Sequence, residues 1–327
     1  MNYFEDTSFT AGKRFMITFV AGMYMSLLTN VSFAQPINTD RIVTLGGIKQ
    51  FIHIETSNRS LPLLLFLHGG PGGSVMGSYK KWSNKLSDRF VVVQWDQRET
   101  GKTLELNASS TPLTVAQFQQ DASALVDTLL AMFNKKKIYI VGHSWGTVLG
   151  FYLAKNFPEK LHAYIAIGPM INQLESENII LKLMIEKAKK EKKHAQLKDL
   201  ETIRIPFENG EQLYFHRKYL FEYVGSKRPL EKSYVLNWSK TWLSIYNDAS
   251  KENLFQTLPR LNCSVYFFAG RKDYQTNSSI TEAYYTKLSA PEKKLIWFEK
   301  SAHGVPTSEP EKFQDELLRI AEALKRQ

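Results

Sequence analysis

The sequence contains one cysteine, Cys263, among 327 residues. No disulfide can form within the chain and no cluster of thiolates can hold a metal. Cys263 opens the apolar stretch Cys263-Ser264-Val265-Tyr266-Phe267-Phe268, so a buried, inert thiol is expected. A membrane-length apolar run is missing too: the run from Phe15 to Leu28 holds about 14 residues, against the roughly 20 that a crossing helix needs. Nucleotide-cradling patterns are absent, with no G-x-x-x-x-G-K-[ST] and no G-x-G-x-x-G opening a helix. There is no internal repeat, no long low-complexity linker and no arginine-rich nucleic-acid motif, and neither a metal nor an organic cofactor is expected.

What is present is ordinary for a folded protein. Hydrophobic residues make up 43% of the chain, which excludes wholesale disorder, and the length suffices for one large α/β domain or two modest ones. The formal net charge is +10. Much of the excess lies in Lys182, Lys187, Lys189, Lys190, Lys192, Lys193 and Lys198, opposed by Glu186, Glu191 and Asp199. The stretch reads as a solvated helix face, with an anionic partner or a membrane surface as the alternative; no nucleic acid is expected.

At the N-terminus, Lys13-Arg14 precede the apolar run, and Ser32-Phe33-Ala34 supplies small residues where a signal peptidase requires them. This order predicts an export signal over residues 1–34, cut after Ala34, and a periplasmic or extracellular protein with no stable membrane span after cleavage. Uncut, the segment would be a membrane anchor. Glu5 and Asp6 are atypical of a signal, and a buried N-terminal helix is the competing reading. No cysteine lies near the cut, which argues against a lipoprotein.

The most informative stretch is Gly142-His143-Ser144-Trp145-Gly146. Lys137 to Val141 before it reads as a short buried strand, and Thr147 to Lys155 after it as a helix with Val148, Leu149, Phe151, Tyr152 and Leu153 apolar. A serine at a strand-to-helix turn sits on a sharp corner with its hydroxyl projecting, and the flanking glycines are needed because a Cβ there would clash. The helix start behind it favours developing negative charge. The bland alternative is a tight turn with an incidental serine.

Strands and helices alternate around this corner. Arg41 to Glu55 reads as a hairpin around Gly46-Gly47; Leu61 to Leu67, Phe90 to Trp95 and Ala163 to Ile167 read as buried strands. Thr114 to Phe133 has helical spacing, with Thr114 a cap. From about Met170 to Leu261 the pattern is helical and polar, and then Val265 to Phe268, a helix near Ile280 to Leu288, Lys294 to Phe298 and a helix from Pro310 to Lys325 resume the alternation. The fold class is therefore α/β, a mainly parallel sheet covered by helices on both faces, with core 35–169 and 262–327 and a helical insertion 170–261.

A serine nucleophile needs a base within reach and a carboxylate that orients the base, in chain order Ser, acid, His for this kind of corner. Of the histidines at 53, 68, 143, 162, 194, 216 and 303, only His303 lies beyond the last core strand, so order selects it. Asp273 follows the strand ending in Phe267-Phe268-Ala269-Gly270, whereas the strand ending at Pro169 has no nearby carboxylate before Glu175. Asp273 is the expected acid, with a turn-forming role as the alternative. The oxyanion donors are expected at the amides of Trp145 and of Gly70, in the loop His68-Gly69-Gly70-Pro71.

The blocks His68-Gly69-Gly70-Pro71-Gly72-Gly73, Asp96-Gln97-Arg98 with Gly101, and Gly142-His143-Ser144-Trp145-Gly146 resemble the prolyl iminopeptidase family of α/β-hydrolases. The resemblance runs from about Arg41 to the C-terminus, the insertion excepted. It implies an α/β-hydrolase fold, a helical cap over the site and release of N-terminal residues, often proline, from peptides. The chain departs from the family's pattern in two places. Glu99 stands where D-Q-R-G has its glycine, and Trp238-Ser239-Lys240-Thr241-Trp242 is followed by Leu243, where the family has a glutamate that binds the substrate's free amine. Glu222, among Tyr219, Phe221 and Tyr223, is the candidate substitute.

The expected function is thus an exported serine hydrolase acting on a small peptide or acyl substrate. An aminopeptidase is the leading reading. A small-acyl esterase is second, and a non-catalytic binding protein on the same scaffold is the rival of another class. A serine at position 144 argues against epoxide and haloalkane chemistry, for which relatives of the fold use an aspartate.

Overall fold

Eight strands form one sheet: β1 (Ile37–Leu45), β2 (Ile48–Thr56), β3 (Leu63–Leu67), β4 (Val91–Asp96), β5 (Ile138–His143), β6 (Leu161–Ile167), β7 (Val265–Gly270) and β8 (Lys293–Phe298). Their spatial order is β1-β2-β4-β3-β5-β6-β7-β8. β1, β2 and β4 pair antiparallel in turn, and every other neighbouring pair is parallel. The computed structural model describes residues 36–108, 112–226 and 229–326. The expected export signal lies outside them.

The parallel strands are apolar without alternation because both faces of the sheet are covered. In β3, Leu63, Leu65 and Leu67 join one core cluster with Phe118, Leu125 and Leu149, while Leu64 and Phe66 join the opposite cluster with Trp82, Phe313 and Leu317. Each fully buried leucine of this kind contributes roughly 1.5–3 kcal/mol. The helices that supply the two layers are α1 (Lys80–Ser83), α2 (Gly101–Glu105), α3 (Val115–Phe133) and α4 (Gly146–Asn156) before the insertion. α3 begins where its sequence says it should: Thr114 Oγ1 accepts from the Gln117 amide at 3.3 Å and the Gln117 side chain accepts from the Thr114 amide at 2.8 Å. This reciprocal box satisfies two helix-end donors.

Among the described residues, five helices stand between β6 and β7: α5 (Gln173–Lys190), α6 (His194–Glu201), α7 (Gly210–Tyr223), α8 (Lys232–Ser250) and α9 (Leu254–Thr257). The sheet then resumes with α10 (Ser278–Lys287) after β7, and α11 (Val305–Ser308) and α12 (Pro310–Lys325) after β8. The two ends of the insertion meet: Asn172 and Asn253 form an antiparallel bridge, and the Leu254 amide donates to the Ile171 carbonyl at 2.9 Å. The lysines at 182, 187, 189, 190, 192, 193 and 198 are all exposed on α5, α6 and the turn between them. Cys263 is buried, and burial pushes its thiol up to about 11. Among the described residues, no helix is long and apolar enough to cross a membrane.

Candidate active site

Ser144 sits between β5 and α4 with φ of 54°, a left-handed conformation that costs a non-glycine residue about 1–2 kcal/mol. The corner is held by the Ser144 amide donating to the Ile167 carbonyl at 2.9 Å and by the Thr147 amide donating to the Ser144 carbonyl at 2.8 Å. Its glycines have no substitutes. A Cβ on Gly142 would lie 2.7 Å from the Gly146 carbonyl oxygen, and one on Gly146 would overlap the Leu67 carbonyl. The sharp turn therefore needs glycine at both ends of the motif.

The histidine and the acid come from the loops after β8 and β7. Asp273, 2% exposed, accepts from the amides of Gln275 (2.9 Å) and Thr276 (3.0 Å) with one oxygen. Its other oxygen takes the Thr276 hydroxyl at 2.9 Å and His303 Nδ1 at 2.9 Å. Burial alone would raise the carboxyl's pKa; His303 and the Thr276 donors outweigh it and hold it below the ordinary value. Gly168, just past β6, leaves room for the pair, since a Cβ there would stand 3.0 Å from both Asp273 Oδ2 and His303 Nδ1. His303 Nε2 is buried and has no hydrogen-bond partner among the described residues.

Ser144 and His303 line one cavity of about 290 Å³, together with Gly70, His143, Trp82 and Gln275. Among the described residues, neither the Gly70 nor the Trp145 amide is taken up by a hydrogen bond within the protein. Trp145 is fully buried and its indole N–H donates to Gln97 Oε1 at 3.0 Å; Gln97 Nε2 in turn donates to the His68 carbonyl at 3.2 Å. The three sequence blocks are thus one bonded unit, with Gln97 as the link. Arg98 pairs with Asp121 and donates to the Gly46 carbonyl at 2.7 Å, away from the cavity.

Several contributors have no signal in the motif spacing. His143 Nε2 donates to the His303 carbonyl at 2.9 Å, which holds the loop behind the ring; burial and the neighbouring His303 lower its pKa to about 4. Thr276 and Gly168 belong to the same group. Gly168 directly follows a buried strand, the one clue available for it.

Glu222 does not join the site. It is exposed, and it is absent from the walls of the cavity and of the adjoining chamber. On α7 the chamber is lined by Leu213, Arg217 and Phe221, four residues apart; Glu222 is one residue further, about 100° round the helix. The buried carboxylate of the insertion is Glu177, on α5. It pairs with both terminal nitrogens of Arg217 (2.7 and 2.5 Å) and accepts from Gln173 (2.9 Å) and the Tyr246 hydroxyl. Burial would raise its pKa, but Arg217 holds it down at about 2. Among the described residues, no group of three or more His, Cys, Asp or Glu is arranged to hold a metal.

Two fully buried histidines set a pH dependence. His68 donates from Nδ1 to the Gly69 carbonyl (2.8 Å) and accepts the Gln97 amide at Nε2 (3.3 Å). His216 accepts from Arg217 at Nδ1 (2.8 Å). Both geometries require neutral rings, and burial lowers both to about 4 from an ordinary 6.5. The unfolded chain then binds more protons between these values, so stability is full above 6.5 and is lost as pH falls towards 4. A urea titration is expected to show the protein about 5–6 kcal/mol less stable at pH 5 than at pH 7, about 2 kcal/mol from each of these rings and a like share from His143, which burial also lowers to about 4. Equal midpoints would mean that the folded rings take up protons.

Glu99 has φ of 53°, which is why a glycine suits this position.

A mostly parallel eight-stranded sheet with a serine on the turn after its central strand β5 is the architecture of the α/β-hydrolases. Residues 62–273 match the family described as alpha/beta hydrolase fold, and the chain belongs to it. It is 29% identical over 304 residues to the probable aminopeptidase YbaC of Bacillus subtilis (strain 168), covering 85% of this chain and 95% of that protein. It is 26% identical over 286 residues to the proline iminopeptidase of Heyndrickxia coagulans, covering 82% of this chain and 93% of that one. The crystal structure of proline iminopeptidase from Mycobacterium smegmatis superposes with a TM-score of 0.63 at 17% identity, over 88% of this chain and 98% of that chain, a likeness of fold.

Proposed function

We propose that this chain is a serine hydrolase that opens ester or amide bonds of small substrates. What supports the reading above all is His303: its Nδ1 is tied to a buried carboxylate, its Nε2 has no partner among the described residues, and it lines the same cavity as Ser144. Ser144 Oγ attacks the substrate carbonyl carbon while its proton passes to His303 Nε2, and Asp273 steadies the resulting imidazolium. The amides of Gly70 and Trp145 hold the oxyanion, each such donor being worth about 2.7–4 kcal/mol. Collapse breaks the bond to the leaving group, which takes the proton from His303. Water then attacks the acyl-serine, giving its proton to His303; the C–Oγ bond breaks and Ser144 regains the proton.

The relatives' names support short peptides as substrates, the aminopeptidase reading. A small-acyl ester is the second reading, favoured because among the described residues no Asp or Glu lines the Ser144 cavity or the chamber beside it. The insertion, residues 170–261, acts as a cap on the core, and residues 1–34 direct export. A fluorophosphonate probe is expected to add its mass to the Ser144 peptide of the wild type and not to Ser144→Ala. Absence of both labelling and turnover on proline p-nitroanilide and p-nitrophenyl acetate would refute the hydrolase.

A further inference from the structure

Beside the Ser144 cavity lies a second chamber of about 160 Å³, and Gly70 and Gln275 line both. A dry cavity of about 150 Å³ holds a benzene-sized molecule. Leu213, Phe221 and Leu230 form one part of the wall, and Tyr234, Val235 and Trp238 of α8 another. The roof is fastened to the glycine-rich loop, since the Trp238 indole donates to the Pro71 carbonyl at 2.9 Å. Trp238 and Pro71 thus keep the chamber next to Gly70, whose amide is a proposed oxyanion donor.

Among the described residues, one charged side chain lines this chamber, Arg217. Its charge is already matched. The terminal nitrogens donate to the two oxygens of Glu177, and beyond these to His216 Nδ1 (2.8 Å) and the Tyr246 hydroxyl (2.9 Å). Glu177 is saturated in its turn by Arg217, Gln173 and Tyr246. Among the described residues that line the chamber, an ammonium would meet a guanidinium and no free carboxylate, the costly case of a buried charge without a partner; Glu231 lines only the outer pocket that shares Phe221, Leu230 and Tyr234. A carboxylate would have to compete with Glu177 for both terminal nitrogens. An uncharged apolar group meets only the wall.

The side of the scissile bond follows from His303. It must protonate the leaving group, and it lines the Ser144 cavity but not the chamber. The leaving group therefore lies on the His303 side and the acyl group opposite. We infer that the chamber is the acyl pocket, provided Ser144 is the nucleophile proposed above, and that it takes an uncharged apolar acyl group, a short aliphatic chain or a single ring, in place of a protonated α-amine.

The test uses two esters that differ by one ammonium, p-nitrophenyl butyrate and p-nitrophenyl 2-aminobutyrate. Each kcat/KM is divided by the ester's spontaneous hydrolysis constant. The wild type is expected to favour butyrate by at least about 100-fold. Tyr234→Glu, at a wall position 63% exposed, places a carboxylate at the rim and is expected to narrow that preference at least about threefold. Equal rates, or preference for the amino ester, with Ser144→Ala silent on both, would overturn the inference and leave the nucleophile standing. A preference unmoved by Tyr234→Glu would also count against the chamber. Ser144→Ala as active as the wild type would bring down the nucleophile and the acyl pocket together.

Discussion

Replacing Ser144 by alanine is expected to lower kcat/KM by about 10⁴- to 10⁶-fold, the scale on which a triad acts as a unit. Stability should stay within about 0.5 kcal/mol of the wild type. The corner is held by main-chain bonds and by the two glycines, and alanine keeps the Cβ, so nothing that shapes the turn depends on Oγ. Asp273→Asn should cost about 10⁴ in kcat for a different reason. An amide in place of the carboxylate offers N–H where His303 Nδ1 now donates, and the ring is driven to the other tautomer, with Nε2 protonated and useless as a base. Full turnover in Ser144→Ala, measured beside an unchanged denaturation midpoint, would exclude the serine route.

Arg217→Met is expected to destabilise the protein by about 3–5 kcal/mol. The replacement leaves Glu177, 1% exposed, as a buried carboxylate with neutral donors only. It also strips His216 Nδ1 and Tyr246 of a donor. Glu177→Leu combined with Arg217→Met should recover the part of the loss that comes from the unpaired carboxylate, but not the part from His216 Nδ1 and the Tyr246 hydroxyl, which stay without these partners. Urea denaturation of the single and double variants measures this. A double variant as unstable as the sum of the singles would mean that the two residues act independently. Part of the damage should reach the acid loop as well. Gln173, which donates to Glu177, also donates to the Gln275 carbonyl at 2.8 Å, two residues from Asp273.

The parts legible in the sequence are those whose physics is local. Thr114 and Gln117 cap a helix within one turn, and the glycines around Ser144 answer to backbone crowding a few residues away. The double-sided sheet follows from runs such as Leu63 to Leu67, which leave no polar face for solvent. How close Asp273 and His303 come could be argued from chain order, because parallel strands deliver successive loops to one edge of the sheet. The insertion resisted this treatment. Glu222 and Arg217 share one helix, and which of them turns inward depends on how α7 packs against α5 and α8, a choice made by Glu177 forty residues upstream. A buried salt bridge between distant helices leaves no periodic trace. The strain at Glu99 is similarly silent, because only its φ reveals why a glycine would suit the place.

Ile171 and Leu254 stand one hydrogen bond apart, so the chain leaves and re-enters the sheet through a single gap. A segment with adjoining ends can be exchanged as a cassette. Helices of another length or sequence, closed by the same pair of residues, would keep the exit from β6 and would have to renew the contacts that Gln173 and Ser176 make with Gln275 and Asn277 after β7. What lies between two asparagines can therefore be transplanted as a unit, while the sheet and its serine corner are inherited.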